Sequence, residues 1–151
     1  MTSEQLLEEF LIRNLDLIDP KLSLIRSQYP TKYGKLDLFC SHSDGYYVVI
    51  ELKTFADTNS PGQLAKYVFA IKEEYPTISI KGILVSENIP SDVCELCTHF
   101  NLTFKELNDL NLTEEKPPSF KVNLSMNRIN KIKSNRLKRD LLKRYKISKN
   151  F

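Results

Sequence analysis

The chain has 151 residues, 41% apolar and 27% charged, a make-up that fits a globular domain with a small appendage. No apolar run approaches the roughly 20 residues that a membrane helix needs. The start, Met1-Thr2-Ser3-Glu4-Gln5, has no basic stretch followed by an apolar core, so the expectation is a cytoplasmic protein without a membrane partner, its three cysteines free.

The predicted elements run as follows. Ser3 reads as an N-cap, and Leu6, Leu7, Phe10, Leu11 and Leu15 recur at helical spacing, which predicts a helix over about 3–14. Asp19-Pro20 marks a turn. Alternation from Leu22 predicts a first strand that ends near Tyr29-Pro30, and Pro30 to Gly34 reads as a connection. Leu36, Leu38 and Cys40 begin a second strand. Ser43-Asp44-Gly45 is a hairpin signal, and Tyr46 to Lys53, almost continuously apolar, reads as a central strand buried on both faces. Asp57 to Pro61 reads as a loop, and Gln63 to Glu74 as a helix with Leu64, Tyr67, Val68 and Ile71 on one face. A strand around Ile78–Val85, a helix from Pro90-Ser91 and a short strand at Leu102–Leu107 complete an αβββαβ order with a further helix and strand. That is an α/β fold, a mixed sheet flanked by helices.

Beyond this body, Glu114-Glu115-Lys116-Pro117-Pro118 reads as a linker. The division expected is a domain over 1–112, a linker over 113–120 and a tail over 121–151. The net charge of +3 is unevenly spread: residues 121–151 carry 11 Lys/Arg against Asp140 alone, while residues 1–120 carry 11 Lys/Arg against 18 acids. Leu137, Leu141 and Tyr145 recur every four residues in the tail, which predicts a basic amphipathic helix over about 134–145. Lys133, Arg136, Lys138, Arg139, Lys143 and Arg144 are the expected phosphate contacts, since a basic tail on an acidic body calls for a polyanion.

Chemistry concentrates between Gly34 and Lys53. Asp37 interrupts one apolar strand, and Glu51 and Lys53 close the next. A buried charge is costly unless it is paired or holds a metal. The hairpin turn brings Asp37 and Glu51 to the same end of adjacent strands, and Glu51 and Lys53, two apart, project from one face. Two carboxylates, with the Leu52 carbonyl, suit Mg²⁺ or Mn²⁺, and Lys53 suits an attacking water or a phosphate. The competing reading is a strand-edge salt-bridge cluster.

Asp37, then Glu51-Leu52-Lys53, resembles the PD-(D/E)XK nuclease superfamily. Gly34-Lys35-Leu36-Asp37-Leu38, Val49-Ile50-Glu51-Leu52-Lys53 and Gln63-Leu64-Ala65-Lys66-Tyr67 are most similar to the nuclease domain of the NucS/EndoMS endonucleases, over roughly residues 3–107. The resemblance implies a restriction-endonuclease-like core, metal-dependent hydrolysis of DNA with RNA left open, and Gln63 and Tyr67 in the active site beside Asp37, Glu51 and Lys53. It also implies a glutamate on the first helix; Glu4 fits best, and Glu8 lies one turn along the same face. Lys35 stands where the family has an arginine, as a phosphate contact. The mismatch endonucleases of this family carry an N-terminal dimerisation and DNA-binding domain with no counterpart in this sequence, so DNA affinity is expected from the basic tail. A homodimer is expected for duplex cleavage, since one site cuts one strand. The alternative is a nuclease-like subunit that binds without cutting.

Cys94, Cys97 and His99 share one short segment, but a structural zinc needs about four ligands, so the cysteines are read as packing against the sheet and His42 and His99 as ordinary surface or hairpin residues.

Overall fold

The computed structural model describes residues 2–107. The linker over 113–120, the helix over 134–145 and every tail residue assigned to phosphate contact lie outside the described residues. Helix α1 spans Ser3–Arg13, a 3₁₀ turn follows at Leu15–Leu17, and strands β1 (Leu22–Thr31), β2 (Gly34–His42) and β3 (Tyr47–Phe55) lead to helix α2 (Ser60–Glu74), strand β4 (Ile80–Asn88), helix α3 (Ser91–His99) and strand β5 (Thr103–Glu106). The five strands stand in the order β1-β2-β3-β4-β5. The first three pair antiparallel, and β3–β4 and β4–β5 pair parallel, so the sheet is mixed with β3 at its centre.

Helices cover both faces. Leu7, Phe10 and Leu11 of α1 pack with Leu38, Cys40, Val48, Ile50 and Leu52 on one side. Leu64, Val68 and Ile71 of α2 and Val93 and Cys97 of α3 pack with Phe39, Val49 and Leu84 on the other. The near-continuous apolar run of β3 follows, because both of its faces are buried. Among the described residues no helix is long and apolar enough to cross a membrane.

Several boundaries differ from the sequence expectation, each for a local reason. The N-cap of α1 is Thr2, not Ser3: Thr2 Oγ1 accepts from the Gln5 amide at 3.1 Å and Gln5 Oε1 accepts from the Thr2 amide at 2.7 Å, a reciprocal capping box. The connection after β1 is only Lys32-Tyr33, because Pro30 remains in the strand opposite Lys35. A proline is tolerated there because β1 is an edge strand with one side unpaired. Helix α2 begins at Ser60, three residues before Gln63, since Pro61 sits in the first turn, where its missing N–H is no loss. His42 is buried at the hairpin rather than on the surface, with Nε2 2.9 Å from Asp19 Oδ2, Nδ1 accepting from the Asp44 amide at 3.0 Å and its ring stacked on Tyr46.

One irregularity shapes the site. Along an undistorted strand, residues two apart share a face. Leu38 and Cys40 obey this and face α1, but Leu36 faces α2. The swap falls at Asp37, and opposite it in β1 Gln28 has a φ of 50°, an unusual backbone for a residue with a side chain. A separate bulge shifts the β1–β2 register between Leu24 and Arg26 and leaves Ile25 exposed.

Two glycines give a stability prediction of opposite signs. A Cβ on Gly82 of β4 would lie 2.7 Å from Leu102 and 2.8 Å from Val68, whereas one on Gly62 in α2 would meet nothing within 4 Å. Gly82→Ala should therefore cost about 1–3 kcal/mol by overpacking, while Gly62→Ala should be neutral or add up to about 1 kcal/mol. Urea denaturation of the two variants beside the parent checks both signs.

Candidate active site

The site lies where β2 and β3 separate. Their register ends at Leu38 opposite Ile50. Beyond it the amide of Leu52 would face no main-chain acceptor from β2, and Asp37 Oδ2 accepts its hydrogen at 2.8 Å instead. The other oxygen, Oδ1, accepts from Gln28 Nε2 at 3.1 Å, and the same nitrogen donates to Glu8 Oε2 at 2.8 Å. A carboxylate only accepts, so a glutamine between two of them must turn its NH₂ to both.

Glu51 is 4% exposed. Burial first, then the hydrogen bond and the charge of Asp37, push its carboxyl well above the ordinary range, and Lys53 offsets this only in part. Glu8 is raised as well, chiefly by burial, with the Gln28 hydrogen bond working the other way. From α2, Gln63 Nε2 donates to the Tyr67 hydroxyl at 2.6 Å. Burial leads the rise in the Tyr67 pKa, with Glu51 and Asp37 adding to it. The Tyr67 hydroxyl lies against Gly34, where a Cβ would be 3.4 Å away; Gly34 opens β2 with a φ of 115°, which glycine adopts without strain.

These side chains enclose one open cleft of about 650 Å³. Asp37, Glu51, Leu52, Lys53, Gln63, Tyr67, Glu4 and Lys35, all assigned to the site from sequence, line it. Glu4 and Glu8 both reach it from α1; Glu8 is the one tied through Gln28 to Asp37, while Glu4 adds to the field around Glu51. Gln28 and Glu9 also line the cleft, and the sequence reading had neither. Nothing in the composition or spacing of β1 marks Gln28; its position opposite Asp37 is set by pairing.

Among the described residues, the ion pairs are Lys21–Asp44, Lys32–Glu73 and the two His42 contacts with Asp19 and Asp44, so Lys53 does not close a salt bridge on either strand carboxylate. Among the same residues, no three His, Cys, Asp or Glu side chains are grouped to hold an ion by themselves. Asp37 and Glu51 are hard oxygen donors, the kind that Mg²⁺ takes together with several waters. Cys97 is buried and Cys94 half-buried, which accords with packing.

The profile of the Endonuclease NucS C-terminal domain matches residues 3–128. The chain belongs to the NucS C-terminal domain family. It is similar to the Endonuclease NucS of Methanocaldococcus jannaschii, 34% identical over 107 residues that make up 70% of this chain and 41% of that protein. The Endonuclease NucS of Pyrococcus furiosus is 31% identical over 106 residues, 70% of this chain and 39% of that one. Among solved structures, an EndoMS–dsDNA complex superposes with a TM-score of 0.64 at 30% identity, over 69% of this chain and 44% of that chain. A repair endonuclease from Pyrococcus abyssi gives 0.64 at 29% identity, over 70% and 47%. The chain thus spans about two fifths of the length of these curated NucS relatives.

Two measurements follow from this geometry in the metal-free protein. A carboxyl whose folded pKa lies above its ordinary value of 4.5 stabilises the fold below that value and loses this contribution as pH rises toward the folded pKa. Glu51→Gln should therefore be more stable than the parent at pH 8, by roughly 1–3 kcal/mol, and the difference should close toward pH 4; denaturation in chelator at both pH values reads this. Gln28→Leu should raise the Glu8 pKa further, because it removes the hydrogen bond that holds it down; a carboxyl NMR titration measures the shift.

Proposed function

We propose that this chain is the catalytic domain of a metal-dependent DNA endonuclease, built on the restriction-endonuclease-like core of the PD-(D/E)XK superfamily. The observation that carries the reading is the buried Glu51 beside Asp37 at a splayed strand end, with Lys53 two residues on and, among the described residues, no ion pair consuming it. The relatives named Endonuclease NucS and the EndoMS–dsDNA complex support the substrate class.

In this reading Asp37, Glu51 and the Leu52 carbonyl hold Mg²⁺ or Mn²⁺. Bound there, the ion would activate a water and offset the charge that develops on the phosphate. The chain's own contribution is positional. Leu52 N–H donates to one oxygen of Asp37 and Gln28 to the other, which fixes the plane of the carboxylate. Lys53 orients the attacking water and balances transition-state charge. Gln63 and Tyr67, already hydrogen-bonded to each other, hold the water and the phosphate in line. Glu4, with Glu8 beside it, completes the acidic wall, and Lys35 meets a flanking phosphate. Residues 1–112 form the catalytic unit in this proposal and 113–120 the linker. Lys133, Arg136, Lys138, Arg139, Lys143 and Arg144 of the 121–151 tail grip the backbone without reading sequence. Two copies would act together on a duplex, one per strand.

The test is cleavage of labelled single-stranded, duplex, mismatched and branched DNA, with an RNA control, in Mg²⁺, Mn²⁺ or chelator. Cutting that needs metal and falls at least about 100-fold in Glu51→Ala and Lys53→Ala is expected. Binding with no cutting of any substrate in either metal would overturn the catalytic reading in favour of a nuclease-like binding module.

A further inference from the structure

Phe55 ends β3 with 77% of its surface exposed, more than any other large apolar side chain among the described residues. Lone exposed apolar residues are ordinary on a surface, but the place of this one is not. Strand alternation sets Glu51, Lys53 and Phe55 on one face of β3. Phe55 borders a smaller cavity of about 380 Å³ that shares Lys53, Glu4 and Gln63 with the carboxylate cleft, so the two adjoin at these side chains. Phe69 lies under Lys32 and Phe100 lines a different cavity; among the described residues, Phe55 is the one exposed phenylalanine that borders this smaller cavity.

The turn that lines the same cavity is preorganised. Asp57 Oδ1 accepts from the Asn59 amide at 2.9 Å and from Ser60 Oγ at 3.3 Å, and Ser60 Oγ accepts from the Asp57 amide at 3.1 Å. Among the described residues, Lys53 is the one basic side chain that lines this cavity, and Asp57 would repel a phosphate. A flat aromatic face, acidic walls and one lysine shared with the cleft fit a neutral planar group attached to a phosphate held at Lys53. Phe55 lies two residues beyond Lys53, about 6.6 Å along the strand, on the order of one nucleotide of extended chain.

We propose that Phe55 is a stacking platform for the unpaired nucleobase next to the scissile phosphate, so that the site takes strand whose base there is splayed or single. The inference rests on the nuclease reading and names a part of its substrate. Stacking on an aromatic side chain accepts any base, so it selects for unpaired structure and not for sequence.

The full chain contains no tryptophan. Phe55→Trp therefore introduces a single indole at the position in question, and the high exposure of Phe55 makes the substitution compatible with the fold. With Ca²⁺ replacing Mg²⁺ to hold back cutting, oligothymidine should quench that indole, while an abasic chain with the same number of phosphates should not. Phe55→Ala should weaken oligothymidine binding by roughly 10–100-fold by anisotropy, Phe55→Tyr should retain it, and Phe55→Leu, apolar but without a ring face, should not. Unchanged indole emission while DNA anisotropy rises overturns the platform, as does parental affinity in Phe55→Ala. A buried-indole emission from the free protein, showing the ring already covered, overturns it too. Parental cleavage in Mg²⁺ or Mn²⁺ alongside any of these results leaves the nuclease reading standing; neither binding nor cleavage by the parent removes both.

Discussion

The hydrogen bond from the Leu52 amide to Asp37 Oδ2 is what allows this sheet to open. Adjacent strands hold together because each buried amide needs an acceptor, and an orphaned one costs as much as several favourable contacts return. At Leu52 a side-chain carboxylate stands in for the main chain of β2. The ladder can then stop at Leu38 and Ile50 with no buried donor left over. The strands part, and the gap becomes the cleft. Asp37 is in this sense structural before it is chemical: the residue that frees the space also brings a negative charge to its edge.

Every other feature of the site is a consequence of that opening or a counterweight to it. The left-handed backbone of Gln28 lets β1 follow β2 through the change of face, so that Leu36 packs under α2 while Leu38 packs under α1. Strain of this kind persists only where surrounding structure imposes it. Here two apolar clusters, with Phe10, Leu11 and Ile50 in one and Leu64, Ile71 and Leu84 in the other, fix the sheet from both faces. Glu51 is then held in a place where its ionised form is disfavoured. A rigid core tolerates that; a loop would let the carboxylate turn to water. Placing the group on the central strand thus keeps it both poised and poorly solvated.

Much of this was legible in the sequence because it follows from periodicity. A period of two in β2 and β3 and the Asp-Gly hairpin brought Asp37, Glu51 and Lys53 to one end, and the helical spacing of Gln63 and Tyr67 put both on the face that meets them. What was not legible depended on pairing or on backbone geometry. Pro30 looked like a strand breaker and is tolerated only because β1 lies at the edge. Pro61 looked like loop and is the first turn of α2. Gln28 looked like any polar residue of an edge strand; its role appears only once the register sets it opposite Asp37 and within reach of Glu8. The crowding at Gly82 was equally hidden, since it comes from Val68 and Leu102, remote in the chain.

The choice between an ordinary salt-bridge cluster and a reactive site turns on what Lys53 does. In a cluster that served stability alone, the lysine would close on a carboxylate, since removing the penalty on buried Glu51 would be its whole benefit. Instead Lys53 lines the cleft and, among the described residues, pairs with neither Asp37 nor Glu51, while it still lowers the energy of a charged Glu51 through the field. The surface pairs Lys21–Asp44 and Lys32–Glu73 show that this chain closes such contacts readily elsewhere. Among the described residues Lys53 closes no ion pair, while Glu51 is held short of ionisation and Asp37 is fixed by its neighbours. In the nuclease reading proposed above, these three would share one complement, a hard metal ion carrying water next to a phosphate, with the ion meeting the acids and the phosphate the lysine.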